Sequence, residues 1–198
     1  SLRWREPGVA AAFIDTDNQT IASLVEGAAD TEHRPSVIDV AERLFAALEA
    51  VGVRYRPDPG LPYSEAVRSS DNVDSIRHPQ QIVAEGYGDS DELTVLYASM
   101  LERSGIATAL IAAPGHLLPA LAVDTVAEEI SAPQRDAYIS YRDRLWLPIE
   151  VRLLGSGFRE ARNAAAAEIL HLKNRAGFSI VATADAWNTY PPSRQTAK

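Results

Sequence analysis

The stretch Gly86-Tyr87-Gly88-Asp89-Ser90-Asp91-Glu92-Leu93 constrains this chain most, because it ends a turn, caps a helix and opens an apolar helical face within eight residues. Asp89 and Glu92 have the spacing of a capping box. Asp89 can accept the free amides of the first turn, while Glu92 reaches back to the cap. Leu93, Val95, Leu96, Ala98, Met100 and Leu101 continue the helix to a stop at Ser104-Gly105. Ser90 therefore stands one step inside a helix N-terminus. By itself that is ordinary capping chemistry.

Two later segments give the position more meaning. Ile106 to Ala113 reads as a buried strand, followed by Pro114-Gly115-His116 and a second apolar run, Leu117 to Val123. Arg144-Leu145-Trp146-Leu147-Pro148-Ile149-Glu150-Val151 reads as a further strand carrying an acid near its end. Gly155-Ser156-Gly157 and a helical segment, Phe158 to Leu172, come next. The order along the chain is thus a helix with a hydroxyl at its start, a strand with a histidine and a strand with an acid.

Three motifs carry a resemblance to bacterial domains of the transglutaminase-like superfamily, which shares the papain-like cysteine protease architecture. They are Gly88-Asp89-Ser90-Asp91-Glu92-Leu93, Pro114-Gly115-His116 and Trp146-Leu147-Pro148-Ile149-Glu150. The likeness spans about residues 35 to 172, and three motifs in order are more specific than one. It implies an α+β fold, with a nucleophile-position helix packed on an antiparallel sheet that carries His116 and Glu150. It also implies acyl transfer at an amide, by hydrolysis or transamidation. Ser90 takes the nucleophile position, His116 the base and Glu150 the orienting acid, with backbone amides at the helix start helping to bind the oxyanion. No cofactor follows from that mechanism.

The family pattern has cysteine where this chain has Ser90. A thiol at a helix N-terminus beside an imidazolium is favoured as thiolate, whereas a hydroxyl must lose its proton during attack. Little or no acyl transfer is therefore expected from the serine form. Asp89 and Asp91 also oppose a thiolate, so the dipole alone cannot tune the position. Two accounts of the serine stay open: replacement of a catalytic cysteine, or the native residue of an inactive relative. The start at Ser1 without methionine lends the first some support. A rival reading of the whole is a noncatalytic module that keeps the cleft to bind a peptide or a partner protein.

Composition sets outer bounds. The 198 residues, 46% hydrophobic, suffice for one sizeable core. The net charge of -8 argues against nonspecific nucleic-acid binding. Zero cysteines rule out disulfides and thiolate metal sites in this chain. No run has the length of a transmembrane helix and the start lacks a signal-peptide pattern, so a soluble domain without membrane contact is expected. Compartment and any further domains of a longer parent stay open.

Residues 1–34 read as an N-terminal extension packed on the domain, 35–190 as the transglutaminase-like domain and 191–198 as a linker or tail. Within them, Val9 to Ile14 suggests a short strand or apolar arm and Gln19 to Ala29 a helix. Ser36 to Ala50 is the strongest early helix, with Ser36 as cap. Pro57 to Pro62 must be loop, which continues through Ser69 to Asn72; Pro79 starts a short helix. Ala132-Pro133-Gln134 breaks the chain, and Ala137 to Tyr141 alternates like a strand, turning at Arg142-Asp143 toward Trp146.

Other roles compete for several of these residues. Glu150 in an apolar strand needs a partner, which the triad role or a salt bridge to Arg152 or Arg144 would supply. Tyr87 and Trp146 beside the motifs could shape an acyl slot or simply pack, and Asp89 and Asp91 flank the nucleophile position as substrate-facing candidates. His33, His78 and His171 show no metal-ligand spacing. The calcium-loop spacing is also missing around Asp89, Asp91 and Glu92. A nucleophile elbow is disfavoured because the second glycine after Ser90 is lacking. The glycines around Ser156 lack a phosphate-loop lysine.

Overall fold

The computed structural model describes residues 7–29, 35–57, 76–123, 136–172 and 178–192. Expectations for residues 58–62 and 69–72, for Ala132-Pro133-Gln134, for His33 and for the tail 193–198 lie outside the described residues. The fold mixes helices with an antiparallel sheet, consistent with the α+β class. In chain order the elements are α1 (Gln19–Ala28), α2 (Val37–Ala50), β1 (Arg54–Tyr55), α3 (Pro79–Glu85), β2 (Tyr87–Gly88), α4 (Ser90–Arg103), β3 (Thr108–Ala113) and β4 (His116–Val123). Then follow β5 (Ile139–Tyr141), β6 (Arg144–Pro148), α5 (Phe158–Leu172), β7 (Ser179–Ala182) and α6 (Thr183–Ala186).

Capping explains why the helices begin where they do. Ser36 and Asp39 close a reciprocal box at α2, and Asp89 and Glu92 do the same at α4. Asn18 caps α1 by accepting from the Thr20 amide. Gly86, at φ 74°, ends α3 in the left-handed conformation that a side chain would resist, and so turns the chain into β2.

The main sheet has the order β5-β6-β4-β3-β7, with every neighbouring pair antiparallel. The β3–β4 hairpin turns at Pro114-Gly115. In the β5–β6 turn both Arg142 and Asp143 have positive φ, as a tight two-residue hairpin requires. Strand alternation splits the sheet into two faces. Leu117, Leu121, Val123 and Leu147 belong to the side packed with α4, together with Leu93, Val95, Leu96 and Met100. Leu118, Ala120, Ala122 and Trp146 belong to the other side, packed with Ile169 and Leu172 of α5. Helices therefore cover both faces, which accounts for strands β3 and β4 being buried throughout.

Phe45 and Tyr97 meet edge to face at 5.7 Å where α2 crosses α4. The fully buried Tyr97 hydroxyl donates to the Ala41 carbonyl at 2.7 Å. Tyr97→Phe leaves that carbonyl without this donor and is expected to cost about 1–2 kcal/mol, read as a lower urea midpoint at unchanged slope.

Three sequence expectations are corrected. Residues Pro7–Phe13 form a 3-10 helix, not a strand or arm, because Ala10 and Ala11 are buried together with Ile14 against Leu110 and Ala112. Trp187 reinforces that docking by donating to the Ala11 carbonyl at 2.9 Å. The Arg144 strand stops at Pro148 rather than running through Val151; Glu150 instead caps a 3-10 turn, Val151–Leu153. A two-residue parallel pair, β1 with β2, lies where no strand is expected from the sequence. Among the described residues, no helix is long and apolar enough to cross a membrane.

Candidate active site

Ser90 is the first residue of α4 and is half-buried. Asp89 Oδ1 accepts from the amides of Asp91 and Glu92, both at 2.9 Å, while Glu92 Oε2 accepts from the Asp89 amide at 3.0 Å. Arg77 braces this cap from outside. Its guanidinium grips Glu92 through two bonds of 2.6 Å, pairs with Glu85 and donates to the Tyr87 carbonyl. Burial works against the Glu92 carboxylate, but Arg77 and the Asp89 amide hold it below the ordinary carboxylate range.

His116 opens β4, beside the hairpin turn. Thr94, one turn beyond Ser90, donates to the carbonyl of Leu117 at 3.1 Å, so the N-terminal half of α4 lies at the His116 end of β4. The Ser90 hydroxyl donates to Asp91 Oδ1 at 3.1 Å, and no hydrogen bond joins it to His116 among the described residues. By alternation His116 shares the α5 side of the sheet with Leu118 and Ala120. Any approach of residue 90 to His116 is therefore around the end of β4, not through the sheet.

The structure brings His116 and Glu150 together and adds two residues. His116 Nε2 lies 3.6 Å from Glu150 Oε2 and 3.4 Å from Glu168 Oε2. Arg152 forks onto Glu150, with Nε to Oε1 at 2.9 Å and Nη2 to Oε2 at 2.6 Å, and the same Nη2 donates to Glu168 at 3.2 Å. Glu150 also accepts from the Arg152 amide at 2.9 Å. Glu150 thus has both partners that its sequence context suggested, histidine and arginine. His116 is 5% exposed and Glu150 4%. His116 Nε2 is the one fully buried side-chain nitrogen or oxygen without a formed hydrogen bond among the described residues.

Burial opposes a charged imidazole, yet the Glu150 and Glu168 carboxylates outweigh it and raise the His116 pKa to about 9, with Arg152 opposing them. Burial likewise opposes the Glu150 carboxylate, but His116 and Arg152 bring its pKa down to about 2. At neutral pH the pair is imidazolium and carboxylate.

His116, Glu150 and Glu168 offer three donor atoms within 4.8 Å of one another, a set that could hold a divalent ion. The Arg152 guanidinium already donates to both carboxylates, so two cationic and two anionic side chains balance without one.

Tyr87 is half-buried, with the guanidinium groups of Arg56 and Arg77 over its ring at 4.5 Å and 4.9 Å. Trp146 is 2% exposed, sits on the sheet face away from α4 and donates to the Tyr141 carbonyl at 2.9 Å. This corrects its reading as a slot residue: it is core. Asp89 and Asp91, read as substrate-facing, serve the cap and the Ser90 hydroxyl. Sequence reasoning missed Glu168, one of the two acids on α5, with nothing local to distinguish it. Compared with family models, curated proteins and solved structures, the chain gives no match.

Proposed function

We propose that this chain is a transglutaminase-like acyl-transfer domain of papain-like fold, with residue 90 at the nucleophile position and little or no turnover while that residue is serine. The observation that carries the reading is the buried His116–Glu150 ion pair at the end of β4 against which the N-terminal half of α4 packs through Thr94. An imidazolium held by carboxylates stabilises a thiolate nearby, and amides at a helix start suit an oxyanion. In the cysteine form residue 90 attacks the amide carbonyl, His116 passes its proton to the leaving amine, and Glu150 holds the ring.

The same electrostatics disfavour serine. A His116 with pKa near 9 already carries its proton at neutral pH, so it cannot accept one from the Ser90 hydroxyl. The hydrogen bond from Ser90 to Asp91 supports a second reading, a noncatalytic module that binds a peptide or partner protein through the same surface.

Turnover separates the two. A set of peptide amides and a glutamine peptide with a primary amine should be unchanged by the Ser90 protein and hydrolysed or transamidated by Ser90→Cys. Binding of those peptides with no turnover by either form would favour the module.

A further inference from the structure

A catalytic imidazole of this kind needs one acid on one ring nitrogen, leaving the other nitrogen for the reacting group. Here two acids from different elements converge on the same nitrogen. Glu150 reaches Nε2 from the turn after β6, and Glu168 reaches it from α5 at the shorter distance, 3.4 Å against 3.6 Å. Neither contact is a formed hydrogen bond, so neither acid alone fixes the ring. Arg152 holds the two carboxylates in a common frame through Nη2. Arg152 in turn faces Tyr55 on β1.

We infer that Glu168 is a second positioning acid for His116: its carboxylate and that of Glu150 both hold the charged ring at Nε2 by electrostatic attraction, and Arg152 sets their separation. Two carboxylates converging on Nε2 restrain the imidazole in two directions, whereas one carboxylate at 3.6 Å would leave it free to tilt. Glu168 is the more exposed acid, with 28% of its side chain accessible against 5% for Glu150, so this half of the clamp meets solvent. Its consequence at residue 90 rests on the acyl-transfer reading; its effect on His116 does not.

The test uses the Ser90→Cys protein with Glu168 kept, changed to Gln or changed to Asp, and with Glu160→Gln as control. Glu160 is exposed on the same helix, so that control removes the same charge away from His116. Two readouts are followed: His116 titration by imidazole NMR, and the pH dependence of alkylation of the thiol introduced at position 90. Glu168→Gln is expected to weaken proton binding at His116 roughly tenfold, with Glu168→Asp recovering part of the loss and Glu160→Gln leaving it unchanged. Alkylation at acid pH should be unchanged in all of them, because a His116 midpoint lowered by about one pH unit from about 9 still leaves the imidazolium charged there. If the Gln variant does not fold, the Asp and Glu160→Gln proteins still decide, since Asp must lower the His116 midpoint and the control must not.

An unchanged His116 titration in the Glu168 variants would overturn the inference even if the introduced thiol is reactive. A shifted titration with alkylation indifferent to His116→Ala would uphold Glu168 as a positioning residue and overturn the acyl-transfer reading instead.

Discussion

Ser90→Cys should convert an inert position into a thiol that alkylates readily below pH 7, and adding His116→Ala should return it toward the ordinary thiol pKa of about 8.5. Two local fields act together there. The start of α4 presents unsatisfied amides and the positive end of the helix dipole to residue 90. His116 is held as an imidazolium by Glu150 and Glu168 at the neighbouring end of β4. Against them stand the carboxylates of Asp89 and Asp91. Asp89 accepts from the first-turn amides and Asp91 from the residue 90 hydroxyl, so both carboxylates stand beside the position. If the imidazolium prevails, the thiolate fraction at pH 6 should rise by roughly a hundredfold over an unperturbed thiol, a shift of about two pH units. The measurement is the iodoacetamide rate against pH, with and without His116→Ala. Two superimposable profiles would sink the nucleophile pair and leave the binding module as the better description.

The second large effect is on stability. His116 has a folded pKa of about 9 against an ordinary 6.5, so its proton is bound more tightly in the folded chain. That contribution is present in full below pH 6.5 and is lost as pH rises through 9. The gap corresponds to on the order of 3 kcal/mol, a sizeable share of the stability of a domain this size. Glu150 works in the other direction: with a folded pKa near 2 against 4.5, its contribution holds above pH 4.5 and is lost as pH falls toward 2. Stability should therefore be highest between about pH 4.5 and 6.5, with a steep alkaline limb. Urea midpoints across about pH 5 to 10 would show it. His116→Asn should be less stable at about pH 6 and nearly flat from there to about pH 9. An alkaline limb as steep as that of the parent would mean that the buried pair is not its source.

Much of the frame was legible along the chain. Asp89 with Glu92, and Ser36 before its apolar stripe, announce helix starts because caps act within four residues, and both caps form. Apolar runs on either side of Pro114-Gly115 produce a hairpin of fully buried strands, since few other structures satisfy two such runs joined by a tight turn. Other segments were too short or too uniform to declare themselves. Pro7–Phe13 is apolar without period, and only its docking on Leu110 and Ala112 makes it a 3-10 helix. The pairs Arg54–Tyr55 and Tyr87–Gly88 are too brief to show alternation and become strands only by meeting each other.

The site divides in the same way. Position 90 at a capped helix start, His116 after a turn and Glu150 in an apolar stretch are local facts, defined by spacing and neighbours. Reading along the chain was enough to single out those three positions as candidates. Which face of the sheet each side chain takes depends on strand register, which removes Trp146 from the neighbourhood of α4 and puts His116 on the side of α5. Packing alone recruits Glu168 to the buried pair, whereas Arg152, two residues from Glu150, was already legible as its partner. Residue 168 lies 52 positions beyond residue 116, on a different element, and its carboxylate reaches Nε2 because α5 packs across β4 and β6. Local propensity acts over a few residues, whereas the proton affinity of His116 is set by charges that only the packed fold brings within 4 Å.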